Sequence, residues 1–186
     1  MGKYTVIADV GQELVNCLVR ELVPELIPDA NGIGLRSPAE KGDVSLGIHL
    51  YDIRESAEIR ESGMVSASLE TQNFPPAYLS LYYMITAYSG SDVKFRSLQE
   101  QRILGKAMQV LHDNPLIPAH EIGQNLAGLD LRIQFLDLSM EEKLQIWGSG
   151  SSYQTSLFYR ISPVELESSK TRRVSRVKEI EIGMKE

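Results

Sequence analysis

Few residues in this chain have the types and spacing that chemistry requires. Ser91-Asp92-Val93-Lys94 matches the SxxK spacing in which a lysine activates a serine hydroxyl for acyl transfer, but neither SDN nor KTG follows downstream. Ser91 and Asp92 equally suit the N-cap of a helix. Asp52, Glu55 and Glu58 are spaced so that two carboxylates could converge for general acid and base work. Arg54 and Arg60 interleave with them, which points to a solvated, self-compensating charge run. His49, His112 and His120 form no HExxH and no i,i+4 pair, and Cys17 is the single cysteine, so no zinc-type ligand set is expected. The glycines of NGIG and GSGSS lack the spacing of phosphate-binding loops and read as ordinary loops. Tyr78, Tyr82, Tyr83 and Tyr88 could stack on bases or sugars, but they lie in a continuous apolar run, where sheet packing or a subunit contact suits them better. The expectation is a protein that is not an enzyme, with no cofactor and no metal.

The elements that position these residues follow from periodicity. Ile7, Val10, Leu14, Cys17, Leu18 and Leu22 recur at spacings of three and four, predicting an amphipathic helix over 4–23 that Pro24 stops. Residues 24–43 are dense in Pro, Gly, Asp and Asn and read as an irregular connection. Val44, Leu46, Ile48 and Leu50 alternate with Ser45, Gly47, His49 and Tyr51, the pattern of a half-buried strand with His49 pointing away from the core. AYLSLYYMITAYS is apolar or aromatic on both faces and is the candidate central strand. A helix over 94–113 carries Leu104, Ala107, Met108 and Leu111 as its apolar stripe and ends at Asn114-Pro115. DLRIQFLDL (130–138) alternates as a strand, and Ser139 with Glu142 forms a capping box for the short helix MEEKLQIW. YQTSLFYRI and RVSRVKEIEI alternate as two further strands. The sum is an α+β fold, a mixed or mainly antiparallel sheet flanked by two longer helices and one short helix, in one domain over residues 1–186.

Composition narrows the function classes. With 186 residues, 42% hydrophobic and 24% charged, the chain is suited to one ordinary core. The N-terminus lacks the apolar core of a signal peptide, Val6 replaces the Ser or Thr of a myristoylation motif, and no run is long enough to span a membrane. With one cysteine, this points to a cytoplasmic protein without membrane partners. Net charge is −6, yet residues 168–186 hold six Lys or Arg against three Glu, a local +3 that leaves −9 elsewhere. An acidic body is a poor fit to nucleic acid, which demands a broad basic face.

PPAYLSLYYMITAYS (75–89), EQRILGKAMQVLHD (100–113), MEEKLQIW (140–147) and SLFYRISPVELES (156–168) together resemble the cap or tail-terminator family of phage tail-like contractile injection systems. The likeness runs in order from about Tyr4 to Val177 and includes IADVGQELVNCLV and LGIHLYDI. It implies a structural subunit, in a homo-hexameric ring, that caps the inner tube at the end distal to the baseplate. That subunit meets the last sheath layer, terminates polymerisation and stays within the assembled particle. Longer members carry sequence after the shared domain, so the role of that extension is not expected of a chain ending at Glu186. A free-standing protein-binding adaptor and a hydrolase using Ser91 and Lys94 are the competing classes.

A ring requires two different patches on each subunit, apolar or charge-complementary, because its contacts run head to tail. The basic terminal strand, at about 170–183, is a candidate docking element through Arg172, Arg173, Arg176 and Lys178. An unpaired strand edge is a template for strand addition, here by an extended sheath arm with an acidic surface. The same residues suit a solvated edge strand whose cations only discourage aggregation.

Overall fold

The computed structural model describes residues 4–40, 42–56, 59, 63–66, 71–121, 130–150 and 152–173. Helix α1 spans Val6–Leu22, and Val6, Val10, Leu14, Leu18 and Leu22 are buried along it at four-residue spacing. Ile7 is only half-buried, so the apolar stripe starts one residue earlier than the periodicity suggested. Each large side chain buried this completely contributes about 1.5–3 kcal/mol of transfer free energy.

The connection after α1 contains two single 3-10 turns, Ala30–Gly32 and Pro38–Glu40, with a three-residue strand between them, β1 (Ile33–Leu35). Residues 24–43 are therefore irregular but not structureless, and β1 adds parallel to β2 (Leu46–Glu55) as an edge strand. Only three residues alternate there, too few for a period-2 signal among Pro and Gly.

β5 (Ala77–Ala87) lies at the centre of the main sheet, antiparallel to β2 on one side and to β8 (Ser156–Leu166) on the other. The six-stranded order is β1-β2-β5-β8-β7-β6, with β6 at Leu116–Ile117 and β7 at Leu131–Phe135. One parallel pair among antiparallel ones makes the sheet mixed, and the fold is α+β as expected.

Leu81, Tyr83, Ile85 and Ala87 of β5 face α1 and α2 (Val93–Asp113), which pack together on one face of the sheet. The stripe of α2 is Ile103, Leu104, Ala107, Val110 and Leu111. Met108, expected within it, is exposed, because 103, 107 and 110 point at the sheet and 108 lies a quarter-turn round the helix. Tyr78, Tyr83 and Tyr88 are buried, so three of the four tyrosines pack against the sheet.

The opposite face carries His49, Tyr51, Tyr82, Met84 and Phe158. Tyr51 meets Phe158 edge-on at 5.9 Å between ring centroids. Helix α3 (Met140–Trp147) lies over this face. Ser139 Oγ accepts from Glu142 N–H while the Glu142 carboxylate accepts from Ser139 N–H, so the capping box is present. Gly148, at φ 83° and ψ 176°, takes a positive-φ conformation open to glycine, and the helix ends there.

Three short strands form a second sheet, ordered β3-β4-β9: β3 (Val65–Ser66), β4 (Thr71–Asn73) and β9 (Thr171–Arg173). They continue β2, β5 and β8 in the same spatial order, past the break at Pro75-Pro76 and beyond the Ala77/Leu166 end of the main sheet. Phe74 N–H donates to Lys170 C=O at 3.1 Å and carries the pairing across the gap. Sequence pattern alone predicted neither β3, β4 nor β6.

Candidate functional site

The basic residues singled out for docking fall on this narrow ribbon. Arg172 pairs with Gln72 and Arg173 with Thr71, so β9 is an edge strand of the small sheet, and both arginines are exposed. Arg176 and Lys178 lie outside the described residues, as does most of the predicted terminal strand. Neighbouring residues on a strand project to opposite faces, so Arg172 and Arg173 present their guanidinium groups on the two sides of the ribbon. They are not one patch. Among the described residues neither meets a carboxylate. The ribbon is thin, and Val65 and Phe74 are also solvent-exposed.

The carboxylate run is resolved differently from a catalytic pair. Asp52 accepts from Arg54 Nε at 2.6 Å, and the Arg54 guanidinium lies 5.0 Å from the centre of the Tyr82 ring. The hydrogen bond to Asp52 raises the Arg54 pKa further. Glu55 is exposed, and Glu58 lies outside the described residues. The predicted charge compensation is therefore made between Asp52 and Arg54.

Beside this pair a cleft of about 610 Å³ opens between the sheet and α3, lined by His49, Tyr51, Tyr82, Leu138, Glu142 and Ile146 among others. Burial pushes the Tyr51 hydroxyl up to about 12, with neighbouring Tyr82 and Asp52 adding to the shift. Burial lowers the His49 pKa, so the ring is neutral near pH 7. The His49 imidazole and the Tyr51 and Tyr82 rings form a polar-tipped aromatic wall, suited to holding α3 or a partner side chain.

Ser91 and Lys94 stand at the start of α2, where Ser91 N–H donates to Ser89 Oγ at 3.1 Å. Asp92 occupies the N-cap position without a side-chain capping bond, so the cap predicted for Ser91 and Asp92 is not made. Lys94 is exposed at the start of the helix, with no wall of side chains around it. His112 and His120 are exposed at the end of α2 and in the turn beyond it. Among the described residues no group of three His, Cys, Asp or Glu could hold a metal ion, and no helix is long and apolar enough to cross a membrane.

Cys17 is buried on α1, and desolvation raises its pKa against the opposing effect of the nearby Arg20. Arg20 pairs with the mostly buried Glu13 at 2.9 Å, and Asn16 donates to the other Glu13 oxygen at 3.1 Å. This polar cluster on α1 was not apparent from the sequence, because residues 13, 16, 17 and 20 become neighbours only on a helix face.

Sequence reasoning also missed the exposed apolar residues of α2 and α3. Val93, Phe95 and Leu98 on α2, and Met140 and Leu144 on α3, are all exposed. For Phe95 and Leu98 the available signal was phase, since both lie off the α2 stripe that packs on the sheet, whereas Val93 is in phase with that stripe and nothing in the periodicity marks it as exposed.

The family described as the Pvc16 N-terminal domain matches residues 9–179. No curated protein is similar enough to match the chain. Two solved structures share the fold. One is the sheath/tube terminator of an extracellular contractile injection system, PVC, in the extended state, seen by cryo-electron microscopy. It is 18% identical, aligned over 100% of this chain and 65% of that one, with a TM-score of 0.68. The other is the tube-terminating cap of the anti-feeding prophage, 17% identical over 95% of this chain and 61% of that one, with a TM-score of 0.62. The chain thus spans 65% and 61% of the length of these two proteins.

Proposed function

Because this chain belongs to the Pvc16 N-terminal domain family, we propose that it is a structural subunit capping the distal end of the inner tube and outer sheath of a contractile injection system. It terminates polymerisation and anchors the last sheath layer. The observation that carries this reading is the pair of fold matches, one to a sheath/tube terminator and one to a tube-terminating cap, over nearly the whole chain.

In this reading residues 1–186 act as one terminator-like domain, six copies form the ring, and the partners are the tube and sheath subunits of the same particle. Assembly takes place in the cytoplasm, and the work is done by surfaces, with no catalytic residue involved. The ribbon suits sheath docking. Its edge strand β9 offers backbone groups for strand addition, and Arg172, Arg173, Arg176 and Lys178 favour an acidic partner. Because alternate positions project oppositely, Arg172 and Arg173 take opposite sides of the ribbon.

Negative-stain imaging of particles from a strain lacking this protein tests the reading. Tubes and sheaths of unregulated length, or unstable sheaths, are expected, and normal particles overturn it. A chain lacking residues 172–186 tests the docking element separately: sheaths should detach from an otherwise capped tube, and particles with normal caps and sheaths rule that element out.

A further inference from the structure

Helix α2 begins against most of the rules for starting a helix. Residues 92–98 are all exposed, with Val93 at 80% and Phe95 at 61% of full accessibility. Apart from the N-cap Asp92, which makes no side-chain capping bond, its start holds no acidic residue, while Lys94 and Arg96 lie at the positive end of the helix dipole.

The side chain that ties α2 to the end of the sheet is Glu100. It accepts from Ser89 N–H at 3.1 Å and from Gln154 Nε2 at 3.0 Å, and the same Gln154 amide donates to Ala87 C=O at the end of β5. The seven residues before Glu100 run past the sheet, an overhang of about 10 Å at 1.5 Å per residue.

On the other face of the sheet, α3 is fully capped yet has no buried residue. Met140 (54% accessible) and Leu144 (46%) lie uncovered, and Glu141, Leu144, Gln145 and Gly148 border an open hollow of about 670 Å³. Asp137, Glu141 and Glu142 are exposed around its start. The chain thus carries a helix tip with exposed apolar and basic side chains and, on the opposite face of the sheet, a hollow bordered by Leu144 and Glu141, with Met140 and Asp137 exposed at and just before the start of α3. Departures from local sequence rules of this kind mark surfaces whose partner lies outside the fold.

We propose that the α2 overhang of one copy seats in the α3 hollow of the next, with Phe95 and Leu98 against Met140 and Leu144, and Lys94 and Arg96 facing Asp137 and Glu141. The contact joins two different patches, so it is heterologous, and repeated rotation closes a ring or extends a filament. It rests on the reading of the chain as a ring-forming cap subunit and names the surfaces that reading requires. A second copy is the occupant because the chain itself supplies both halves, matched in apolar character and opposite in charge.

Sedimentation equilibrium of the purified chain tests it. The wild type should self-associate, and K94E/R96E and D137K/E141K should each weaken association at least tenfold while remaining folded by circular dichroism. Mixing the two variants should restore association, since each then offers the charge the other lacks. F95S and L144S should weaken association without affecting monomer stability. A wild type that stays monomeric up to about 1 mM, the weak limit of specific binding, overturns the contact, as does association indifferent to these substitutions. Neither result bears on the cap reading, which the strain lacking the protein tests independently.

Discussion

At the scale of single residues, two side chains expose how finely the interior is satisfied. Tyr83 is 1% exposed at the centre of the sheet, and its hydroxyl finds no hydrogen-bond partner among the described residues. Burial raises its pKa well above the ordinary tyrosine value, so the group stays neutral but still lacks the bonds water would provide. Removing an unsatisfied buried hydroxyl from an otherwise unchanged ring is favourable, so Tyr83→Phe should raise stability by about 1 kcal/mol, read as a higher urea midpoint at constant m-value. A lower midpoint shows that the hydroxyl is bonded. Glu100 is the converse case. Glu100→Ala strips acceptors from Ser89 N–H and Gln154 and should lower stability by about 1–2 kcal/mol. Amide exchange should quicken most at the start of α2, and an unchanged exchange pattern there removes Glu100 as its anchor.

Among the elements, α3 depends on its ends because none of its residues is fully buried. Ser139→Ala removes one half of the capping box and should cost about 1 kcal/mol of local helix stability, read by hydrogen exchange over residues 140–147. The other half depends on pH. Hydrogen bonds from Ser139 hold the Glu142 pKa below its reference value of 4.5. A carboxyl whose folded pKa is depressed stabilises the fold above its unfolded pKa, and this contribution is lost as pH falls through the folded value. Exchange of α3 amides, corrected for intrinsic rates, should therefore be constant from pH 7 to about 5 and rise below the unfolded carboxylate pKa of about 4.3. In Glu142→Gln that acid dependence should disappear, and its persistence there assigns the effect to another group.

For the whole molecule, stability and assembly belong to different surfaces. Leu14 is completely buried between α1 and the sheet, so Leu14→Ala should cost about 2.7–5 kcal/mol of global stability in denaturant titration. Leu144→Ala, at an exposed position, should stay within about 0.5 kcal/mol while weakening association of copies. A large loss of stability in the second variant would assign α3 to the core instead of to a contact. The ribbon of β3, β4 and β9 lies at the Ala77 end of the main sheet and the α2 overhang at the Ala87 end. With the ribbon assigned to the sheath and the overhang to a neighbouring copy, the two contacts do not compete for space.

Local periodicity by itself determined the three α-helices, the central strand and the absence of any complete catalytic or metal motif, because those features depend on neighbours a few residues apart. α1, the capping box at Ser139 and Glu142, and the central place of β5 were legible for this reason. The family likeness was legible from four long segments taken together. Strands of two or three residues, β1, β3, β4 and β6, left no readable pattern, since they exist through hydrogen bonds to distant partners. The same limit hid the opposite projection of Arg172 and Arg173, the exposure of Met108 and the failure of Asp92 to cap α2. Only the tertiary structure decided which apolar residues go uncovered, because a helix carries Val93, Phe95 and Leu98 in its sequence regardless of whether a sheet lies beneath them. At α2 the sheet ends first.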